Sequence, residues 1–233
     1  MKTKNKIHKL IAQSGFCSRR AAEKLIQEER VFVDGKIAHI GQLVDENSTI
    51  EIDGISLKKE EKKLYYLLNK PRECLSTCKD NFGRKTVIDF FNQNQRLYPV
   101  GRLDFNTTGV LLITNDGDLT SYLLHPKNEI ERVYVAKVDF TLSKMELEFL
   151  NSSNVFIDEK ESKQIVKQLS SRKYVVTLWR GTNHHVKKLF ELVHKKVITL
   201  DRVGFACLDI GNLKQGQYRK LLPKEIEKLK NRK

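Results

Sequence analysis

No apolar run in the 233-residue chain approaches the ~18 residues that a membrane-spanning helix needs. The opening stretch, MKTKNKIHKLIAQSG, is basic but has no apolar core behind it, so no secretory signal and no membrane partner are expected. Cysteine is scarce. Cys17, Cys74, Cys78 and Cys207 form no C-x-x-C pair, which sets aside zinc ribbons and dithiol redox motifs. Reduced thiols in a cytoplasmic protein are the simple reading. Neither G-x-x-x-x-G-K-[ST] nor G-x-G-x-x-G occurs, which argues against a nucleotide hydrolase and a dinucleotide enzyme. No internal repeat is evident, and there is one short charge run in place of any low-complexity tract. Acids are also in deficit. There are 29 Asp and Glu against 43 Lys and Arg, a net charge of +14. Such an excess attracts polyanions, and nucleic acid is the favoured partner.

Hydrophobic residues make up 39% of the chain and recur with regular period, so the chain folds. Ile7, Leu10 and Ile11 mark a short amphipathic helix that Gly15 ends. Ser18 caps a second helix, SRRAAEKLIQEER, with Ala21, Ala22, Leu25 and Ile26 as its apolar face. Two Asp-Gly pairs, in VFVDGKIA and in STIEIDGISL, predict hairpin turns. Arg19 and Arg20 lie in the first turn of the second helix, where the helix dipole disfavours cations. A helix N-terminus with two arginines suits phosphate, whereas solvated arginines would be the ordinary alternative. Residues 55–63, ISLKKEEKK, read as a charged linker.

From Leu64 the pattern is mixed. LYYLLNKP, GVLLIT, RVYVAKVDF and YVVTLWRG read as strands. KTVIDFF, SKMELEFLNSS and HHVKKLFELVHKK read as helices, the last with Val186, Leu189, Phe190 and Val193 on one face. Asp116-Gly117 reads as a turn that closes a strand. Strands and helices do not alternate regularly, which predicts an α+β fold: a small N-terminal α/β module over residues 1–60, then a domain over 61–233 with a mixed, largely antiparallel sheet flanked by helices.

The stretch GRLDFNTTG, residues 101–109, raises the question of chemistry. Seven residues separate its two glycines and no lysine follows the second, so it is not a phosphate loop. A glycosidase would want a second acid, and the neighbours Asp116 and Asp118 look like turn residues. A polar turn and a loop presenting a reactive carboxylate both remain. His184, His185 and His194 do not predict a metal site, because adjacent side chains on a helix point apart and no acid joins them.

Two longer stretches carry a resemblance. GFCSRRAAEKLIQEERVFVDGK resembles the small RNA-binding module named for ribosomal protein S-four, with the match running over residues 6–54. That resemblance implies RNA contact by Arg19, Arg20 and Lys24. YPVGRLDFNTTGVLLITNDGDLTSYLLHP resembles the ribosomal RNA pseudouridine synthases of the RsuA/RluB type. Gly101, Arg102, Leu103, Asp104, Thr107, Gly109, Asp116, Gly117, His125, Pro126 and Tyr134 stand in the family's pattern, with LLNKP, GTNHHVKKLF and GQYRKLL as further matches. The resemblance implies a cofactor-free isomerase that converts uridine in ribosomal RNA, free or in a ribosomal subunit precursor, to pseudouridine. It implies Asp104 as the catalytic carboxylate, which needs a neighbouring cation. Lys187 aligns with the family's basic position and Arg102 is the second candidate, assigned here to RNA. Tyr134 would stack on the target uracil and Val186 would wall the pocket. Departures are Arg180 for an acid, His185 for a glutamine and Thr108 where an acid is frequent. A large-subunit target is preferred, with a small-subunit target or a non-catalytic assembly factor as alternatives. The expected state is a monomer.

Overall fold

The computed structural model describes residues 4–45, 47–57, 61–92 and 96–231. Residues 58–60 of the expected linker lie outside the described residues. The chain divides into Met1–Leu64 with Gln93–Arg96 and Asn115–Gly117, and a larger unit of Tyr65–Asn92, Leu97–Thr114 and Asp118–Lys233.

In the first unit, β1 (Lys4–Lys6) leads into α1 (Ile7–Gln13) and α2 (Arg19–Gln27). There follow β2 (Val31–Val33), β3 (Lys36–Ile37), β4 (Leu43–Asp45), β5 (Ile50–Ile52) and β6 (Ile55–Ser56). Ser18 Oγ accepts from Ala21 N at 3.1 Å and caps α2. Both Asp-Gly pairs take positive φ at both residues, 48° and 78° at Asp34-Gly35 and 51° and 78° at Asp53-Gly54. Two-residue hairpins require that geometry, and β2 pairs β3 as β5 pairs β6. The expected linker therefore begins later, because Ile55 and Ser56 complete a hairpin. Ile7, Ile11, Ala22, Ile26, Val31 and Ile52 form the core. Ala21 is exposed, in contrast to the expected apolar face, because Ala22 and Ile26 set the buried stripe.

In the larger unit, β7 (Tyr65–Lys70), β8 (Tyr98–Pro99) and β9 (Thr108–Thr114) precede α3 (Gly117–Leu124). Then come β10 (Arg132–Val138), α4 (Lys144–Leu150), β11 (Phe156–Ile157), β12 (Lys160–Glu161), β13 (Gln164–Ser170) and β14 (Lys173–Leu178). The end of the chain supplies α5 (His185–Glu191), β15 (Val197–Phe205), β16 (Leu208–Asp209), β17 (Tyr218–Lys220) and α6 (Pro223–Lys230). The sheet runs β13-β14-β10-β15-β9-β7-β17, with β8 on β9 and β16 on β15. Among the described strands of this sheet only β9 and β15 pair in parallel, so the sheet is mixed and largely antiparallel. Every residue of β7 and β9 is buried; the apolar runs 65–68 and 110–113 suit central strands, and Asn69, Lys70, Thr108 and Thr114 are buried polar residues at their ends.

Two apolar clusters fix the helices. Ala136, Tyr174 and Val176 of the sheet pack with Leu150 of α4 and with Val186, Leu189 and Phe190 of α5. Tyr65, Leu67, Val110 and Leu112 pack with Leu119 and Leu123 of α3 and Leu229 of α6.

Three local readings change. KTVIDFF is a pair of turns, because Val87 N donates to Leu75 O and Asp89 Oδ2 accepts from Thr86 N, leaving its backbone committed elsewhere. Gly117 opens α3 instead of closing a turn; Leu119 and Leu123, four apart, bury against the sheet and Asp118 suits the first turn. Helix α5 stops at Glu191, and Val193 joins the core beyond its end. No helix of the described residues is long and apolar enough to cross a membrane.

Candidate active site

Residues 101–107 link β8 to β9. Leu103 is a buried anchor in the middle of this loop. Its N–H donates to Ser76 Oγ at 3.1 Å, and the Ser76 hydroxyl donates to Leu103 O at 2.8 Å. Thr107 N donates to Asp104 O at 3.1 Å and closes the turn. Beneath the loop lies Lys70, fully buried at the end of β7. Its ammonium donates to the carbonyls of Pro71, Asp104, Phe105 and Thr107 at 2.9–3.2 Å. Burial pushes this amine down to about 8, while the Asp104 charge works in the opposite direction.

The end of the loop is fixed just as tightly. Gly109 has φ +109°, and a Cβ there would meet the carbonyl oxygen of Arg202 on the neighbouring strand β15. Only glycine allows that approach. Thr108, at the position where the family frequently has an acid, donates its hydroxyl to Asp201 Oδ1 at 2.8 Å.

With its backbone held, Asp104 presents a half-buried carboxylate. Lys187 Nζ, from α5, donates to Asp104 Oδ2 at 2.5 Å. His184 Nε2, at the N-terminal boundary of the same helix, lies 3.6 Å from Asp104 Oδ1. Arg102 is exposed and its side chain bonds to no described residue. Tyr134 on β10 is partly buried, packs on the cluster that holds α5, and stands opposite Arg202 of β15. Val186 is a core residue of that cluster, with 3% of its surface exposed. In the other unit Arg19, Arg20 and Lys24 are all exposed on α2, and Lys24 pairs loosely with Glu28 at 3.7 Å. Among the described residues no group of three or more His, Cys, Asp or Glu could hold a metal ion.

The sequence of residues 64–221 matches the family described as RNA pseudouridylate synthase, and residues 6–50 match the S4 domain. The chain belongs to the RNA pseudouridylate synthase family. Its relatives include the ribosomal large subunit pseudouridine synthase B of Bacillus subtilis, 40% identical, with 97% of this chain and 95% of that protein covered. The dual-specificity RNA pseudouridine synthase RluF of Escherichia coli is 29% identical, with 95% of this chain and 77% of that protein covered. A crystal structure of a pseudouridylate synthase superposes with a TM-score of 0.72 at 27% identity, covering 96% and 99% of the two chains.

Sequence reasoning about this synthase misses Lys70, although a lysine closing an apolar strand before proline is a visible irregularity. It also misses Asp201 and Arg202, which lie in ITLDRVGF, a stretch assigned to no element. Arg202 is buried, donates from Nε to Val110 O at 2.8 Å, and stacks over Phe205. His184 enters the sequence reading within the matched stretch GTNHHVKKLF and as a rejected metal ligand, with no role assigned to it, yet it stands beside the carboxylate.

Proposed function

We propose that this synthase isomerises a uridine of ribosomal RNA, in the large subunit, to pseudouridine. The observation that carries the reading is the Asp104–Lys187 ion pair, held at the mouth of a braced loop in a member of this family. The large-subunit preference rests on the name of the Bacillus subtilis relative. In the reaction the N1–C1′ bond breaks and a C5–C1′ bond forms. A proton leaves C5 and one ends on N1, so nothing is oxidised and no outside group is transferred. That balance calls for no cofactor.

In this reading Asp104 acts on C1′ or on the base as nucleophile or proton acceptor, and Lys187 compensates its charge. Tyr134 stacks on the uracil once it has left its own stack, and Val186 supports the pocket from below. Arg102 meets the RNA backbone beside the target. Arg19, Arg20 and Lys24 bind phosphates through the exposed N-terminal half of α2. The enzyme works as a monomer in the cytoplasm on ribosomal RNA or a ribosomal subunit precursor.

The test is to map pseudouridine in ribosomal RNA with and without the gene, and to incubate the purified chain with each ribosomal RNA. A site that disappears from large-subunit RNA and reappears on incubation supports the reading. Modification of small-subunit RNA alone overturns the choice of subunit, and no new pseudouridine in any RNA overturns catalysis.

A further inference from the structure

His185 opens α5 and is buried, 7% exposed. Both ring nitrogens are engaged. Nδ1 lies 3.3 Å from Thr182 N and 3.2 Å from Thr182 Oγ1. Nε2 lies 2.8 Å from Ser162 Oγ. A backbone N–H can only donate, so Nδ1 accepts and the ring proton sits on Nε2. The imidazole then donates to Ser162 Oγ. The Ser162 hydroxyl donates to Gln164 Oε1 at 2.5 Å, and the Gln164 amide donates to Leu150 O at 2.6 Å. This buried chain has one direction and ties the first turn of α5 to β13 and to the end of α4.

The neighbouring residues face the other way. His184 sits in the left-handed region, φ 56° and ψ 26°, and its side chain does not cap the helix. Such a backbone is unfavourable for a residue with a Cβ and persists where its surroundings enforce it. The His184 ring instead approaches Asp104 Oδ1, and Lys187 binds Oδ2. Residues three apart share a helix face, and residues two apart do not. His184 and Lys187 therefore act on one side while His185 anchors the other.

We propose that His185 is a positioning residue: its buried hydrogen-bond chain fixes the start of α5 so that His184 and Lys187 each meet one oxygen of Asp104. The inference rests on the reading of Asp104 as the catalytic acid. Burial keeps the ring neutral, down at about 4, with Lys188 and Arg132 acting in the same direction and Asp158 against it. A second ring proton would point at the Thr182 N–H.

The experiment compares wild type, H185A, H185Q and V155A on a large-subunit RNA fragment, with melting temperatures measured alongside. Gln can accept from Thr182 and donate to Ser162, and Val155 is a core residue of the same cluster. H185A is expected to lose roughly 10- to 100-fold in kcat with KM unchanged, as displaced catalytic groups do. H185Q is expected to recover most of that loss, and V155A to keep kcat despite a lowered Tm. Wild-type kcat in H185A, or equal losses in H185A and V155A at matched Tm loss, overturns the proposal. Nitrogen NMR of the wild-type ring should show one neutral tautomer, protonated at Nε2, at neutral pH; the other tautomer or a mixture also overturns it. If wild type forms no pseudouridine, the functional reading fails and the tautomer still decides the hydrogen-bond chain.

Discussion

Lys187 and Asp104 stand 83 residues apart in the chain and 2.5 Å apart in space. Their side chains keep 33% and 27% of their surface exposed. An ion pair that open to water contributes on the order of 1 kcal/mol or less to stability. Its value is geometric: it aims the carboxylate and balances its charge at the surface where RNA would arrive.

Asp104→Asn is expected to abolish pseudouridine formation while RNA affinity, measured by filter binding, stays near wild type. Lys187→Met should cost about 10²- to 10³-fold in kcat, the usual scale for losing one preorganised electrostatic partner. Lys187→Arg should retain most activity. Full turnover in Asp104→Asn would remove the carboxylate from the mechanism.

Lys70→Met should destabilise the larger unit. It removes the ammonium from four carbonyls, of which Asp104 O keeps Thr107 N and Phe105 O keeps Cys74 N, while Pro71 O and Thr107 O lose the donor they have. The expected loss is about 3 kcal/mol, or about 6–12 °C in Tm, read by calorimetry. An unchanged melting temperature would mean that solvent serves those carbonyls equally well.

Gly109→Ala should be poorly tolerated. The new methyl would press on the Arg202 carbonyl at a φ that alanine rarely adopts. A loss of about 2 kcal/mol or more is expected, seen as a lower urea midpoint with unchanged slope.

Arg19→Ala with Arg20→Ala should weaken RNA binding and flatten its salt dependence. The slope of log K against log salt should become shallower by nearly one for each phosphate that the protein no longer neutralises. The same slope in both proteins would show that these arginines stay in solvent.

Acid should reveal His185. Its folded-state pKa, about 4, lies below the ordinary 6.5. The unfolded chain therefore takes up this proton first as pH falls. The contribution is complete above about pH 6.5 and is lost between there and about pH 4, amounting to about 3 kcal/mol. Denaturant titrations of wild type and H185Q across this range give the effect by difference, and parallel curves would exclude it.

Much of the molecule is legible in its residues alone. The Ser18 cap, the two Asp-Gly hairpins and the continuous apolar runs of β7 and β9 each act over a few residues, where local preference and burial agree. KTVIDFF misleads because apolar residues three and four apart can also arise from consecutive turns. Asp116-Gly117 misleads because a pair that favours turns can equally start a helix when leucines behind it have a sheet to cover.

The sequence by itself determined the class of this protein: a basic chain with two modules, a family pattern centred on Asp104, and no local motif for phosphate loops or metals. The family pattern also points to Lys187 as the neighbouring cation, while tertiary structure alone brought Lys70 and His184 to that acid. Lys70 reaches it from 34 residues away, Lys187 from 83, and His185 holds its place through Ser162, 23 residues earlier. Periodicity records which face of an element is buried. It carries no record of which distant element a buried or half-buried polar group will meet, because that partner exists only after the sheet has closed its order.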